Sequence, residues 1–245
     1  MTLRMRAVQL TLVVPCFNEE HRLDVAAFQG FDSGSDRVDF LFVDDGSRDG
    51  TSRLLESNGF KVLALDRNGG KAEAVRRGIV AAIERGAEVA GFWDADLATP
   101  LSELPQFLEV LRDRPAIEMV YGARVRLLGR SISRQESRHY FGRVGATLIS
   151  RTLGLAVYDT QCGAKLFRVN DTIREIFATP FLSRWIFDVE IIARFVRLRG
   201  RDAAAGAIYE LPLRAWHDVK GSKLRSTDFL RALRDLWKIR RAYKR

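Results

Sequence analysis

The chain has 245 residues, of which 47% are hydrophobic, and a formal net charge of +9. This composition allows a sizeable core and argues against disorder, and the length suits a single α/β domain. No apolar run is long enough to span a bilayer, and the first one, residues 7–14, is too short and too polar for a secretory signal. We therefore expect a cytoplasmic protein, either free or peripheral on the inner face of the membrane, with Cys16 and Cys162 as reduced thiols.

The positive charge is unevenly distributed along the sequence. Residues 226–245 carry seven basic and two acidic side chains, a charge of +5, which leaves +4 for the other 225 residues. Such an excess of basic residues indicates an anionic partner, whether a phosphate, a membrane surface or a nucleic acid. No nucleic-acid-binding module is recognisable, so a non-enzymatic nucleic-acid-binding role is the weakest alternative, and we expect no nucleic acid partner.

Apolar runs and helix-like segments alternate through the first half of the chain. The runs predicted as strands are residues 10–14, 39–43, 61–65 and 89–93, and the helix-like segments are residues 20–28, 50–58, 71–85 and 102–112. Strands joined by helices with short links predict a mostly parallel sheet covered by helices on both faces. After residues 119–122 the pattern is less regular. Six arginines between residues 124 and 143 then indicate a loop and helix that face an anionic ligand.

Two carboxylates, Asp94 and Asp96, follow the apolar run 89–93 and flank a single residue. Carboxylate oxygens at this spacing can hold Mg²⁺ or Mn²⁺, ions that usually also bind the phosphates of a substrate. Two solvated carboxylates in an ordinary turn are the simpler interpretation of this motif alone. We predict a metal site because the motif stands at the end of a strand, the edge at which open α/β sheets bind ligands.

Polar residues also follow two other predicted strands. Asp44, Asp45 and Gly46 come directly after the run 39–43, where a carboxylate can accept hydrogen bonds from a ribose or a base and a glycine lets the backbone approach a ligand. Residues 14–20 follow the first strand. Each segment alone is equally well explained as a turn that leads into a helix.

The three segments together resemble those of the family 2 glycosyltransferases, in order, spacing and position at strand ends. The resemblance implies the GT-A fold, an α/β fold with a mostly parallel central sheet flanked by helices and a Rossmann-like nucleotide-binding half. Within the family the chain is most similar to the polyprenyl-phosphate enzymes, such as the dolichyl-phosphate glucose and mannose synthases. The segments that carry this narrower likeness are residues 67–71, 94–100, 122–124, 159–167 and 220–224. We expect a glycosyltransferase domain over residues 1–225 and a basic amphipathic helix over residues 226–245.

The resemblance implies a role for particular residues at the donor site. Asp94, Ala95 and Asp96 would bind the donor diphosphate, with Asp94 and Asp96 as ligands of Mg²⁺ or Mn²⁺, and Lys223 would reach the same diphosphate. The residues implied to line the nucleotide pocket are Pro15, Phe17, Glu19, Val43 and Asp45.

The resemblance also implies three catalytic residues. Arg124 and Arg138 would bind phosphates, and Asp159 would lie near the reacting centre as a general base or as a residue that orients a neighbour. Two departures from the family pattern concern the donor site, since Phe17 replaces a common tyrosine and Ala98 replaces a glutamine that binds metal in some relatives. The motif Gln-x-x-Arg-Trp of processive synthases is absent, so we expect a single transfer.

The expected reaction is inverting transfer of one hexose from a UDP- or GDP-linked sugar to a polyprenyl phosphate. A phosphate monoester has its second pKa near 6, so the acceptor is mostly ionised and a base can be weak or missing. The Asp-Ala-Asp-Leu-Ala-Thr sequence favours UDP-glucose. The alternative is the same donor chemistry with a soluble hydroxyl acceptor, and the absence of long apolar spans favours it.

Three features leave their role open. Lys71 either contacts the nucleotide or simply begins a helix. The segment that contains Trp185, Asp188 and Glu190 either lies near the sugar or acceptor, or is an amphipathic helix with Trp185 in the core. The apolar residues of 226–245 recur at helical spacing among basic ones, which fits a helix in an anionic membrane interface or one packed on the domain or a dimer partner.

Overall fold

The computed structural model describes residues 8–34, 36–133, 136–218 and 226–243, without the side chains of 133, 136–144 and 226–230. A seven-stranded sheet forms its centre. Its strands are β1 (Gln9–Cys16), β2 (Arg37–Asp44), β3 (Lys61–Ala64), β4 (Val89–Trp93), β5 (Met119–Ala123), β7 (Ala164–Arg168) and β8 (Ile208–Pro212). They lie side by side in the order β3-β2-β1-β4-β7-β5-β8. The short strands β6 (Ser131–Ser133) and β9 (Ala215–His217) pair separately in parallel.

Helices cover both faces of the sheet, as the alternating pattern predicted. They are α1 (Val25–Gln29), α2 (Thr51–Ser57), α3 (Lys71–Glu84), α4 (Leu104–Asp113), α5 (Glu136–Leu153), α6 (Asp171–Ala178), α7 (Phe187–Arg199), α8 (Arg201–Ala207) and α9 (Ser226–Tyr243). A 3-10 turn, Leu101–Glu103, precedes α4. The predicted helix 20–28 begins only at Val25, because Asp24 caps α1 by accepting a hydrogen bond from the Ala27 N–H.

Strand β7 is the one antiparallel member of the described central sheet. It lies between β4 and β5, and Lys165 pairs with Phe92 on one side and with Tyr121 on the other. Because β7 runs against its neighbours, the residues just before it lie at the carboxyl edge of the other strands. That edge collects the residues that follow β1, β2, β4 and β5.

The apolar core lies on both sides of the sheet. Strands β4 and β5 are buried along their whole length, as expected for central strands. Helix α3 approaches β1 and β2 closely at Gly78, where a Cβ atom would lie 2.4 Å from Val13 Cγ1. This close approach fixes the position of Lys71, the first residue of α3, relative to the sheet edge.

Helix α9 packs on the domain through one side. Ile239 is fully buried, Leu236 and Tyr243 pack against the core, and the Ser183 hydroxyl donates to the Asp235 carboxylate at 2.9 Å. Trp237 lies on the outer side and is 59% exposed. No helix within the described ranges combines the length and apolarity needed to cross a bilayer.

Candidate active site

An open cleft of about 220 Å³ lies at the carboxyl ends of β1, β2 and β4. Seven of the predicted donor-site residues line it: Pro15, Phe17, Glu19, Asp45, Asp94, Ala95 and Asp96. Three further residues complete the lining: Cys16, Lys71 and Ala74. The strand-end segments that were predicted to converge therefore do so.

Asp45 shapes the loop at one wall of this cleft. Its two carboxylate oxygens accept hydrogen bonds from the backbone N–H groups of Gly69 and Gly70, each at 2.7 Å. Gly70 has a φ of 88°, a left-handed value that favours glycine. The side chain of Arg184 lies against Gly70 and donates to the Asn68 carbonyl and side chain. Asp45 thus holds the loop before α3 in a shape that an ordinary side chain at residue 70 would disturb.

The carboxylates of Asp94 and Asp96 lie at the centre of the cleft. Asp94 Oδ1 is 2.5 Å from the Lys71 ammonium, and Asp96 Oδ1 accepts from the Ala98 N–H at 3.1 Å. Burial raises the pKa of Asp96, and the negative charge of Asp94 raises it further. The residue between the motif and Ala98, Leu97, has a φ of 51°, a strained value of the kind that collects at functional sites.

Glu19 adds a third negative charge to this region. Burial raises its pKa, and the charges of Asp96 and Asp94 act in the same direction, although the charge of Arg22 opposes them. Glu19 Oε2 is buried and has no hydrogen-bond partner among the described residues, although Arg22 Nε lies 3.7 Å from it as an ion pair. The cleft therefore holds more negative charge than its own groups neutralise.

Lys71 is the cation within this group. Burial alone would lower its pKa, but the neighbouring charges of Asp94 and Asp188 outweigh that effect and raise the pKa. A lysine at a helix N-terminus is unfavourable with respect to the helix dipole, so the carboxylate of Asp94 also offsets that cost. Of the two roles left open for Lys71, the structure supports a place in the cleft.

The donor set fits a divalent cation that is shared with a substrate. No three His, Cys, Asp or Glu side chains within the described part of the chain are grouped as a complete metal site. Asp94 and Asp96 would supply two oxygen ligands, which leaves positions for diphosphate oxygens and water. Mg²⁺ is commonly held in this way, by one or two carboxylates together with substrate phosphates.

Arg124 and Asp159 form a bidentate ion pair next to the cleft. Arg124 follows β5, and its Nε and Nη2 donate to the two oxygens of Asp159 at 2.6 and 2.8 Å. The Arg124 N–H also donates to Asp159 Oδ2 at 3.0 Å. Burial lowers the pKa of the Arg124 guanidinium, but the charge of Asp159 outweighs this and keeps the pKa above its usual range. Both carboxylate oxygens are therefore occupied by the arginine.

The turn that carries Asp159 is anchored by a glutamate that the sequence did not single out. Glu210, on β8, accepts hydrogen bonds from the N–H groups of Tyr158 and Asp159 at 2.7 to 2.9 Å. The same turn reaches the metal motif, because the Asp94 N–H donates to the Gly163 carbonyl at 2.9 Å. A Cβ atom on Gly163 would lie 1.9 Å from Asp94 Oδ2, so any larger residue there would displace the Asp94 carboxylate. The ion pair and the cleft are thus parts of one site.

Some of the predicted site residues lie elsewhere. The side chain of Val43 is fully buried in the core between the sheet and α3, so the structure does not bring it into the cleft. The side chain of Arg138, in α5, and the whole of Lys223 lie outside the described residues. Trp185 is 54% exposed, and the interpretation that placed it in the core was wrong, whereas Phe187 is buried.

Comparison with known proteins identifies the family of the chain. The model of the family described as "Glycosyl transferase family 2" matches residues 11–174. The dolichyl-phosphate beta-glucosyltransferase of Saccharomyces cerevisiae is 30% identical, over 96% of this chain and 75% of that protein. The Homo sapiens protein of the same name is 30% identical, over 88% of this chain and 69% of its own length.

Solved structures share the fold at lower sequence identity. Glucosyl-3-phosphoglycerate synthase from Mycobacterium tuberculosis, in complex with Mn²⁺, UDP-glucose and phosphoglyceric acid, has a TM-score of 0.66 at 20% identity, covering 95% of this chain and 80% of that chain. Mannosyl-3-phosphoglycerate synthase from Rubrobacter xylanophilus has a TM-score of 0.69 at 16% identity, covering 95% of this chain and 72% of that chain. These likenesses confirm the GT-A fold. The chain belongs to glycosyl transferase family 2.

Proposed function

We propose that this protein transfers one glucose residue, with inversion, from UDP-glucose to a polyprenyl phosphate in the presence of Mg²⁺ or Mn²⁺. The proposal rests on one observation: two groups of charged residues, one around Asp94 and one around Arg124, are connected through the same turn. A carboxylate cluster suited to a cation and a diphosphate is joined through Gly163 to a buried arginine suited to a second phosphate. The names of the curated relatives support the choice of sugar and acceptor.

The donor would bind in the cleft through its nucleotide and its diphosphate. Phe17 is 42% exposed at the rim, where its ring can stack on a base. Asp94 and Asp96 would hold the metal ion, which neutralises charge on the departing diphosphate when it is bound. The Lys71 ammonium, 2.5 Å from Asp94, lies close enough to interact with the same diphosphate.

The acceptor phosphate would bind beside the pair of Arg124 and Asp159. A guanidinium can bind a phosphate through parallel hydrogen bonds, and the carboxylate of Asp159 holds the Arg124 group in a fixed orientation. The acceptor is already ionised near neutral pH, so the reaction needs no strong base. We assign Asp159 the role of orienting Arg124, because both of its oxygens are already bound to that residue.

A donor and acceptor screen tests this proposal. UDP-glucose, UDP-galactose, GDP-mannose and GDP-glucose would each be incubated with Mn²⁺ or Mg²⁺ and with either a short-chain polyprenyl phosphate or 3-phosphoglycerate, and products identified by mass spectrometry. We expect a glucosyl phosphate product from UDP-glucose only in the presence of a divalent cation. Transfer to 3-phosphoglycerate but not to the polyprenyl phosphate would support the soluble-acceptor alternative and overturn the lipid assignment.

We further propose that the outer side of α9 binds an anionic membrane surface. The described side chains of α9 include five exposed basic residues and one acidic residue, Asp235, which accepts a hydrogen bond from Ser183 on the domain and forms ion pairs with Arg234 and Lys238. Leu233 and Trp237, four residues apart, are exposed among them, and the guanidinium of Arg241 lies 5.5 Å from the Trp237 ring centroid. Basic residues near an anionic surface contribute about 1 kcal/mol each, and a tryptophan suits the interface.

Vesicle sedimentation tests this second proposal. The protein should sediment with vesicles of phosphatidylcholine and phosphatidylglycerol but much less with phosphatidylcholine alone, and the double variant Leu233→Ser/Trp237→Ala should lose binding. Leu198→Ser is the matched control, because Leu198 and Leu233 are both 36% exposed but lie on different helices. Equal binding by the double variant and the control would contradict the role of α9.

A further inference from the structure

A lysine lies at the centre of the sheet, where a charged residue is costly. Lys165, on β7, is fully buried, and its ammonium lies 4.9 Å from the ring centroid of Phe92 and 4.8 Å from that of Tyr121. An isolated buried charge costs several kcal/mol, so the position requires partners. The ammonium has two: the Asp188 carboxylate at 2.7 Å and the Cys162 carbonyl, to which it donates a hydrogen bond.

The partner of Lys165 is equally buried and belongs to a different element. Asp188 lies in the first turn of α7, where the helix dipole favours a negative charge. Burial raises its pKa, whereas the charges of Lys165 and Lys71 lower it. Its Oδ2 accepts a hydrogen bond from the Gln161 side chain at 3.3 Å. The two residues thus contact successive positions, 161 and 162, of the turn before β7.

That turn is shared by both halves of the active site. It begins at Asp159, which holds Arg124, and ends at Gly163, whose carbonyl accepts the Asp94 N–H and whose Cα lies against the Asp94 carboxylate. A displacement of the turn would move the arginine and the metal ligand together. Misplacement of a reacting group by about 1 Å can reduce a rate by roughly 100-fold.

We propose that the buried pair of Lys165 and Asp188 is a positioning device for the turn 159–163 and thereby sets the distance between the donor diphosphate and the acceptor phosphate. The proposal rests on the function proposed above. Neither residue lines the cleft, and both act mainly through the groups that they hold, while the charge of Asp188 also raises the pKa of Lys71. Lys165 holds the backbone of the turn, and Asp188 holds Lys165 and Gln161.

The experiment separates positioning from stability with three variants of the full chain. Lys165→Met and Asp188→Asn each remove one charge, and the double variant Lys165→Met/Asp188→Leu replaces the pair with apolar side chains. The control is Arg112→Met, which removes a partly buried ion pair in which Arg112 Nη2 donates to both oxygens of Asp36, just before β2 at the opposite edge of the sheet. Each variant is measured for Tm, for kcat with UDP-glucose and a short polyprenyl phosphate, and for Mn²⁺-dependent UDP affinity by calorimetry.

We expect the single variants to lose stability and the double variant to regain much of it, since an apolar replacement of a buried pair is often well tolerated. All three should show a kcat reduced by about 10- to 100-fold and a Kd for UDP with Mn²⁺ raised about tenfold. Arg112→Met should lower Tm without changing kcat or Kd. A stable double variant with kcat and Kd within twofold of the wild type would overturn the proposal.

The calorimetric measurement distinguishes this failure from failure of the proposed function. If the polyprenyl phosphate were not the acceptor, the wild type would show no transfer, but its Mn²⁺-dependent UDP binding would remain measurable. An unchanged UDP affinity in the folded double variant would then still count against the positioning role. A weakened affinity would support it whatever the acceptor.

Discussion

The Lys71 ammonium lies 2.5 Å from Asp94 Oδ1, so a residue of α3 neutralises a carboxylate at the end of β4. A divalent cation that binds Asp94 must compete with this ammonium or displace it toward the diphosphate. Lys71 should therefore stabilise the metal-free protein but weaken the binding of a divalent cation.

Lys71→Met should lower the Tm of the metal-free protein, because the charges of Asp94 and Asp96 then repel each other without a counter-charge. The rise in Tm on adding Mn²⁺ should be larger than in the wild type, since the cation no longer displaces an ammonium. Differential scanning fluorimetry with and without Mn²⁺ measures both effects. Lys61→Met is the control, because the exposed Lys61, on the edge strand β3, forms an ion pair with Asp39 of β2. An equal Mn²⁺-dependent rise in both variants would argue against the competition.

Asp96→Asn should have opposite effects on activity and on metal-free stability. Activity should fall by about 100-fold or more, in line with the loss of a group that stabilises transition-state charge. Without metal, the variant should be more stable by about 1 kcal/mol, which corresponds to a Tm increase of roughly 2–4 °C. The reason is that Asn carries no charge to be desolvated and repelled by Asp94. A lower Tm for the metal-free variant would contradict this account.

The stability of the metal-free protein should respond to pH through Asp96 and Glu19. Both have a pKa raised by burial in the folded state, so their favourable contribution is complete below their unfolded pKa values and is lost as pH rises through the folded values. The lowered pKa values of Asp49 and Glu73 act in the opposite direction. The test is therefore the difference in Tm between the wild type and Glu19→Gln/Asp96→Asn. The Tm of the variant should increasingly exceed that of the wild type as pH rises from about 4. With Mn²⁺ present, the wild type should instead have the higher Tm.

Asp159→Asn distinguishes a residue that orients Arg124 from a general base. If Asp159 orients Arg124, kcat should fall by about 10- to 100-fold, but the acidic limb of the pH–rate profile should persist near the second pKa of the phosphate acceptor. Arg124→Met should reduce the rate at least as much. Asp159 would instead be the general base if the acidic limb disappeared in Asp159→Asn while Arg124→Met stayed nearly as active as the wild type.

Tyr121→Phe should leave the protein as stable or make it more stable by up to about 1 kcal/mol, because burying an unpaired hydroxyl is costly. The Tyr121 hydroxyl is buried and has no hydrogen-bond partner among the described residues, and burial raises its pKa. Chemical denaturation measures the free energy of unfolding. Tyr158→Phe, at an exposed position, should change it little. A loss of 1 kcal/mol or more in Tyr121→Phe would show that the hydroxyl has a partner such as water.

The donor half of the site could be predicted from sequence because its residues follow apolar strands. Strand β4 coincides with the predicted residues 89–93, and Asp94 and Asp96 follow it directly. Val43 was misplaced because strand residues alternate between the two faces, and its side chain points toward α3. The family resemblance put it in the pocket, and nothing in the local pattern opposed that.

The other half could not be predicted in the same way. Strand β7 contains Lys165 among apolar residues, so its pattern did not identify it as a central strand. Its antiparallel direction also cannot be read from composition. Without that direction, the local pattern did not place Gly163 beside Asp94, and only the family resemblance put Asp159 near the reacting centre. Glu210 was missed because its role depends on pairing between β5 and β8, which are far apart in the sequence.

The reversed direction of β7 has a consequence for the order of assembly during synthesis. Strands β1 to β4 can pair as soon as residue 93 has left the ribosome, but β4 and β5 are joined only through β7, which ends at Arg168. Until then β4 presents an apolar, unpaired edge, a state prone to self-association. A nascent chain stalled before residue 164 should therefore depend on chaperones more than one stalled after residue 212, when β8 completes the sheet.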